Sequence, residues 1–129
     1  MPPIRILLVD DNAEFLESAA HFLAAVPEAV VVGRARSGRE AIRRLDDLRP
    51  DLILIDLVMP GMDGLEATRR IKAQPAPPRV VILTLFDGAE YRTAILEAHA
   101  DGVLAKSEFG SRLLPLIHDL FDAPAGDPI

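Results

Sequence analysis

The chain contains no cysteine, which removes disulfides, thiolate metal sites and a thiol nucleophile and leaves the redox compartment open. Nothing in it approaches the 18 consecutive apolar residues of a membrane span. Its N-terminal apolar run, Ile4 to Val9, is only six residues long with Arg5 inside it, too short for the core of a signal peptide. Basic residues are in the minority: 14 Lys plus Arg against 20 Asp plus Glu give a formal charge of −6. That balance argues against direct nucleic-acid binding and fits ordinary solubility. There is no internal repeat and no low-complexity tract, and 129 residues leave no room for two domains. The expectation is one soluble, cytoplasmic domain with no membrane contact, whose 50% hydrophobic residues are ample for a single packed core.

Strand-like and helix-like segments alternate along the chain, the pattern of a parallel sheet covered on both faces. The first strand is Ile4 to Val9. After Asn12, residues Phe15, Leu16, Ala19, Phe22, Leu23 and Val26 recur at helical spacing and end near Pro27. Val30 to Ala35 reads as the second strand. Ser37 and Glu40 form a capping box before a helix with Ala41, Ile42, Leu45 and Leu48 on its buried stripe, stopped by Pro50. Leu52 to Ile55 is apolar without alternation, as a central strand buried on both faces requires.

The loop from Met59 to Gly64 carries strong turn residues and opens a helix with Leu65, Thr68 and Ile71. Residues 74–78 form a Pro-rich connection, and Val80 to Leu83 is the fourth strand. Asp87 and Glu90 are expected to cap the next helix, with Tyr91, Ala94, Ile95 and Ala98, before Asp101-Gly102 turns into the fifth strand. The last helix should bury Leu113, Leu116, Ile117, Leu120 and Phe121. Pro115 either lies in a first turn capped by Ser111, the favoured reading, or kinks a helix that starts earlier.

Four of these apolar runs end on polar residues: Asp10 and Asp11, Asp56, Thr84 and Lys106. Parallel sheets bind ligands at the carboxyl ends of their strands. Three carboxylates, a hydroxyl and an ammonium would then share one pocket. Two carboxylates about 4 Å apart repel by roughly 4 kcal/mol at an effective dielectric constant of about 20, so the cluster calls for a cation. With oxygen ligands only, Mg²⁺ fits better than zinc. Asp56 is the natural nucleophile, since carboxylates accept phosphoryl groups to give acyl phosphates. Lys106 and Mg²⁺ would neutralise charge on the equatorial oxygens while Thr84 donates a hydrogen bond. Singly, each residue has an ordinary explanation: a turn aspartate, a β-branched strand residue, a solvated lysine. Their joint position at successive strand ends favours the site.

The motifs Leu7-Leu8-Val9-Asp10-Asp11, Asp56-Leu57-Val58-Met59-Pro60-Gly61-Met62-Asp63-Gly64, Thr84, and Ala100-Asp101-Gly102 leading to Lys106 resemble those of the receiver domains of two-component response regulators. The resemblance covers about residues 3–121, so a receiver over 1–121 is expected, with 122–129 as a tail or the start of a linker. It implies a flavodoxin-like, doubly wound α/β fold with five parallel strands in the order 2-1-3-4-5 and five helices. By the same resemblance Asp56 is the phosphoacceptor, Asp10 and Asp11 surround Mg²⁺, and the Val58 carbonyl is a further metal ligand. Thr84 becomes the switch hydroxyl and Lys106 the phosphoryl-binding lysine. The implied donor is a histidine kinase or phosphotransfer protein, or a small acyl phosphate. The implied recipient is a downstream protein or fused output domain, and the face of the fourth helix, fifth strand and last helix could also serve for dimerisation. Such a domain is a signalling receiver that catalyses only its own phosphoryl transfer and dephosphorylation.

Two positions depart from the pattern. Many receivers carry Tyr or Phe where this chain has Val103, and valine cannot act as an aromatic rotamer reporter. Many also have a cis proline after the lysine; here Ser107 follows, and a non-proline cis bond costs about 2.5–4 kcal/mol, so a trans bond is expected. The resemblance further implies that the side chains of Val58 and Phe86 flank the approach of water to Asp56; neither can orient that water, so a slowly hydrolysing aspartyl phosphate is expected. Three other readings fit less well. A phosphatase of the haloacid-dehalogenase type needs a second Asp where Val58 stands. A flavin module needs a Ser/Thr/Gly-rich phosphate loop where Asp10-Asp11 would repel an anion. An interaction module working without phosphorylation leaves the complete pocket without a use.

Overall fold

The computed structural model describes residues 2–85 and 89–122. Its five strands are β1 (Ile4–Val9), β2 (Ala29–Ala35), β3 (Leu52–Asp56), β4 (Arg79–Thr84) and β5 (Gly102–Ala105). They form one parallel sheet in the order β2-β1-β3-β4-β5, the doubly wound topology expected. The helices are α1 (Ala13–Ala24), α2 (Gly38–Arg43), α3 (Leu45–Leu48), α4 (Gly64–Lys72), α5 (Arg92–Glu97) and α6 (Phe109–Phe121).

Side chains on a strand alternate between faces, and the two cores follow that period. Ile6 and Leu8 of β1 point with Leu52 and Leu54 into a core closed by Leu16, Leu23, Leu113 and Ile117 of α1 and α6. Leu7, Val9, Ile53 and Ile55 point the other way, against Ala41, Ala67, Ile71 and Ile95. All five residues of β3 are buried, as a central strand covered on both faces demands.

Helix starts follow local side-chain chemistry. Asn12 Oδ1 accepts the N–H groups of Glu14 and Phe15 at 2.9 and 3.1 Å, which fixes α1 immediately after the Asp10-Asp11 pair. Ser37 Oγ accepts the Glu40 N–H, but the returning Glu40 carboxylate takes the Arg36 N–H, one residue earlier than a capping box would place it. The expected helix from Ser37 to Leu48 is divided at Arg44, with φ −98° and ψ 2°, so the five connecting helical segments count as six helices. The Arg44 guanidinium meanwhile donates to the Arg34 carbonyl at 2.6 Å, tying the break to β2.

Two expected helix starts differ. Ser111 is not the N-cap of α6: the helix begins at Phe109, and Pro115 lies inside it. Phe109, Leu113 and Ile117, spaced i, i+4, i+8, are all buried, and seating the Phe109 ring between Phe15 and Phe22 of α1 carries the start back beyond Ser111. Pro115 is on the exposed side, where its missing N–H is least costly. Ahead of α5, Glu90 lies in a 3₁₀ turn, Ala89–Tyr91, and Tyr91 at the cap position makes no side-chain cap bond; Asp87, expected as a cap, is outside the described residues. No peptide bond among the described residues is cis, so Lys106–Ser107 is trans.

Gly64 joins the fold to the end of β3. Its N–H donates to the Leu57 carbonyl at 3.0 Å, and a Cβ there would run into the Asp56 carbonyl oxygen. Only glycine lets the N-terminus of α4 lie this close to the strand end that carries Asp56. Gly64→Ala should therefore lose at least about 2 kcal/mol of stability by denaturant unfolding. An unchanged midpoint would show that the contact can relax without cost.

Candidate functional site

The carboxyl ends of β1, β3, β4 and β5 come together as their registers dictate. Asp10 is fully buried just past β1; its N–H donates to the Ala35 carbonyl at 3.1 Å, and its Oδ1 accepts the Asn12 N–H at 2.9 Å. Asp11 follows, partly exposed, and its carbonyl receives the Arg36 guanidinium at 2.9 and 3.2 Å. Asp56 ends β3 and is buried, and the next residue, Leu57, is fastened to β4 through its N–H on the Leu83 carbonyl at 2.9 Å. Thr84 ends β4, buried, in register with Ala105, and Lys106 comes directly after β5.

Asp10, Asp11 and Asp56 each offer a carboxylate oxygen within 4.8 Å of the others. The Lys106 ammonium stands 2.6 Å from Asp10 Oδ2 and 3.5 Å from Asp56 Oδ1, so one cation bridges two carboxylates from neighbouring strands. Asp10 Oδ2 is buried, and among the described residues no backbone or hydroxyl group donates to it, so the Lys106 ammonium is its close polar neighbour. A buried oxygen held by one cation alone, beside two more carboxylates, suits a hard divalent cation, and the oxygen-only donor set fits that group. Burial, then the Asp10 carboxylate, push the Asp56 carboxyl up to about 6 against the opposing pull of Lys106 and a Val58 N–H.

These residues line an open cleft of about 770 Å³, together with Asn12, Leu57, Val58, Leu85, Ala89, Glu90 and Tyr91. All five polar residues expected at the site are thus brought to one place. The Val58 side chain is 65% exposed at the rim, and Phe86 lies outside the described residues. Two contributors escaped the sequence reading. Arg36, just past the end of β2, holds the Asp11 backbone, and the Phe15 ring lies under Lys106, 4.6 Å from its ammonium. Phe15 falls on the helical stripe and reads as core; Arg36 follows no motif.

Residues 6–118 match the family model of the response regulator receiver domain. The chain belongs to the response regulator receiver domain family. Among curated relatives it is 38% identical over 125 residues to the transcriptional regulatory protein LiaR of Bacillus subtilis, covering 97% of this chain and 58% of that one. It is 34% identical to the nitrate/nitrite response regulator protein NarL of Escherichia coli, over 98% of this chain and 57% of that one. Among solved structures, the response regulator domain of Thermotoga maritima CheB superposes with a TM-score of 0.81 at 30% identity, covering 98% of this chain and 99% of that one. The receiver thus spans a little under three-fifths of the length of these two curated relatives.

The electrostatics of this receiver give a stability test. Asp56 titrates near 6 in the fold against 3.8 ordinarily, so the folded state holds a proton there that the unfolded state releases. Below about pH 4 the group costs nothing; the cost grows as pH rises through 6 and stays constant above. Removing the charge with Asp56→Asn should therefore stabilise the metal-free protein at pH 7 by roughly 1–3 kcal/mol, with the gain fading towards pH 4. A melting temperature at pH 7 that is unchanged or lower would contradict this.

Proposed function

We propose that this receiver accepts a phosphoryl group on Asp56 from the phosphohistidine of a histidine kinase or phosphotransfer protein, or from a small acyl phosphate, and thereby switches a partner-binding face. The observation that carries the reading is the Lys106 bridge between Asp10 and Asp56 in a cleft where three carboxylate oxygens lie within 4.8 Å of one another. An Asp56 oxygen attacks phosphorus, the bond from phosphorus to the donor nitrogen or oxygen breaks with its electron pair leaving on the donor, and an acyl phosphate remains. Asp10, Asp11, Asp56 and the Val58 carbonyl would hold Mg²⁺, which when bound supplies positive charge to the transferring group and quenches the repulsion among the carboxylates. Lys106 turns from Asp10 towards the phosphoryl oxygens, and Thr84 donates a hydrogen bond to one of them.

Drawing Thr84 inward shifts an existing equilibrium at the face made by α5, β5 and α6. Exposed Leu96 and Val103 on α5 and β5 give that face apolar side chains for a downstream protein, a fused output domain or a second copy. With Val103 where an aromatic reporter would stand, the change is carried by displacement of the helix and the loop after β4. Residues 1–121 make up the receiver and 122–129 a tail or linker; the domain does not itself bind nucleic acid and its only chemistry is on its own aspartate. Among the described residues no helix is long and apolar enough to cross a membrane, which fits work in the cytoplasm. The exposed Val58 side chain, which cannot position a hydrolytic water, favours a long-lived acyl phosphate.

Incubation with Mg²⁺ and a small acyl phosphate tests the reading. Stoichiometric, Mg²⁺-dependent mass gain is expected on Asp56 and is expected to vanish in Asp56→Asn. Labelling that persists in that variant would move the acceptor elsewhere, and a wild-type chain that never takes label would make this an interaction module working without phosphorylation.

A further inference from the structure

Lys106 is held by more than carboxylates. Its ammonium stands over the Phe15 ring, 4.6 Å from the centroid, and its side chain is only 13% exposed. The Phe15 ring is fixed in turn: it meets the Phe109 ring edge-on, 5.5 Å between centroids at 88°, and Phe109 meets Phe22 at 5.7 Å and 75°. Phe109 is buried, opens α6 and lies three residues after Lys106. The segment that carries the lysine and the ring beneath its ammonium are thus locked to each other.

We propose that Phe15 is the positioning residue that keeps Lys106 in the cleft once its carboxylate partners are taken by a divalent cation. The proposal rests on the phosphoacceptor reading above and adds a residue to it. In the metal-free arrangement Asp10 and Asp56 hold the lysine by charge. A divalent cation on the same carboxylates cancels that attraction and repels the ammonium, at the stage when the ammonium is needed beside an incoming phosphoryl group. Lysine has a long flexible stem whose freedom favours escape to solvent. The quadrupole of an aromatic ring attracts a cation whether or not the carboxylates are occupied, and it does so most strongly where water is excluded. Among the described residues Phe15 therefore supplies the one hold on Lys106 that needs no negative charge.

NMR of the full chain tests this without phosphorylation. The Lys106 ε-methylene protons should be shifted upfield by the Phe15 ring current and stay so when MgCl₂ is added. Phe15→Tyr should keep the shift and Phe15→Leu abolish it. In saturating Mg²⁺, Phe15→Leu should raise the half-saturating concentration of beryllofluoride roughly 2- to 30-fold, the range of a cation–π contact, whereas Phe15→Tyr should rescue it. In a Lys106→Met background Phe15→Leu should add nothing, because one residue acts through the other. Loss of the upfield shift on adding Mg²⁺, or an equal Phe15→Leu effect without the lysine, overturns the proposal. A wild-type chain that keeps the shift in Mg²⁺ but binds no beryllofluoride upholds the hold on Lys106 and overturns the phosphoacceptor reading instead.

Discussion

The arrangement depends on a repulsion. Asp10, Asp11 and Asp56 are brought within 4.8 Å at the edge of a sheet, two of them buried, with one ammonium between Asp10 and Asp56. One positive charge does not balance three negative ones, and burial together with the Asp10 carboxylate pushes the Asp56 carboxyl up to about 6. Folding thus stores unfavourable charge where a cation would relieve it. Local constraints hold it in place: the Asn12 cap, the Arg36 clasp on the Asp11 carbonyl, and the close approach of Gly64 to the end of β3.

The fold places these constraints by topology. With β1 between β2 and β3, the Asp10-Asp11 pair lies beside Asp56 on one flank and next to the β2 end, with Arg36, on the other. β4 and β5 extend the same edge to Thr84 and Lys106. A similar clasp fixes the opposite edge. Asp101 Oδ2 accepts from the Val80 N–H and from Lys72, both at 2.8 Å, tying α4 to β4 and to the start of β5. That clasp pins the starts of β4 and β5 to α4.

The parts legible in the sequence were those with short-range causes. Apolar runs without alternation marked the buried strands, and residues at their ends marked the site, because strand ends of a parallel sheet converge whatever the intervening helices do. Less legible were features decided across the molecule. Ser111 is a good cap locally, but packing of Phe109 between two rings of α1 set the start of α6 earlier. The break at Arg44 answers to a carbonyl on β2, ten residues away, and Phe15 under Lys106 depends on the docking of α1 on α6. Periodicity identifies which face of a helix is buried, not which ring meets which charge.

Because the stored charge is the central claim, the most direct test is Mg²⁺-dependent thermal stabilisation of the unphosphorylated protein at two pH values. If the carboxylates are held together against their repulsion, saturating Mg²⁺ should raise the melting temperature clearly at pH 7.5, where Asp56 is ionised, and much less at pH 5, where it carries a proton. A shift of equal size at both values, or none at pH 7.5, would contradict the account.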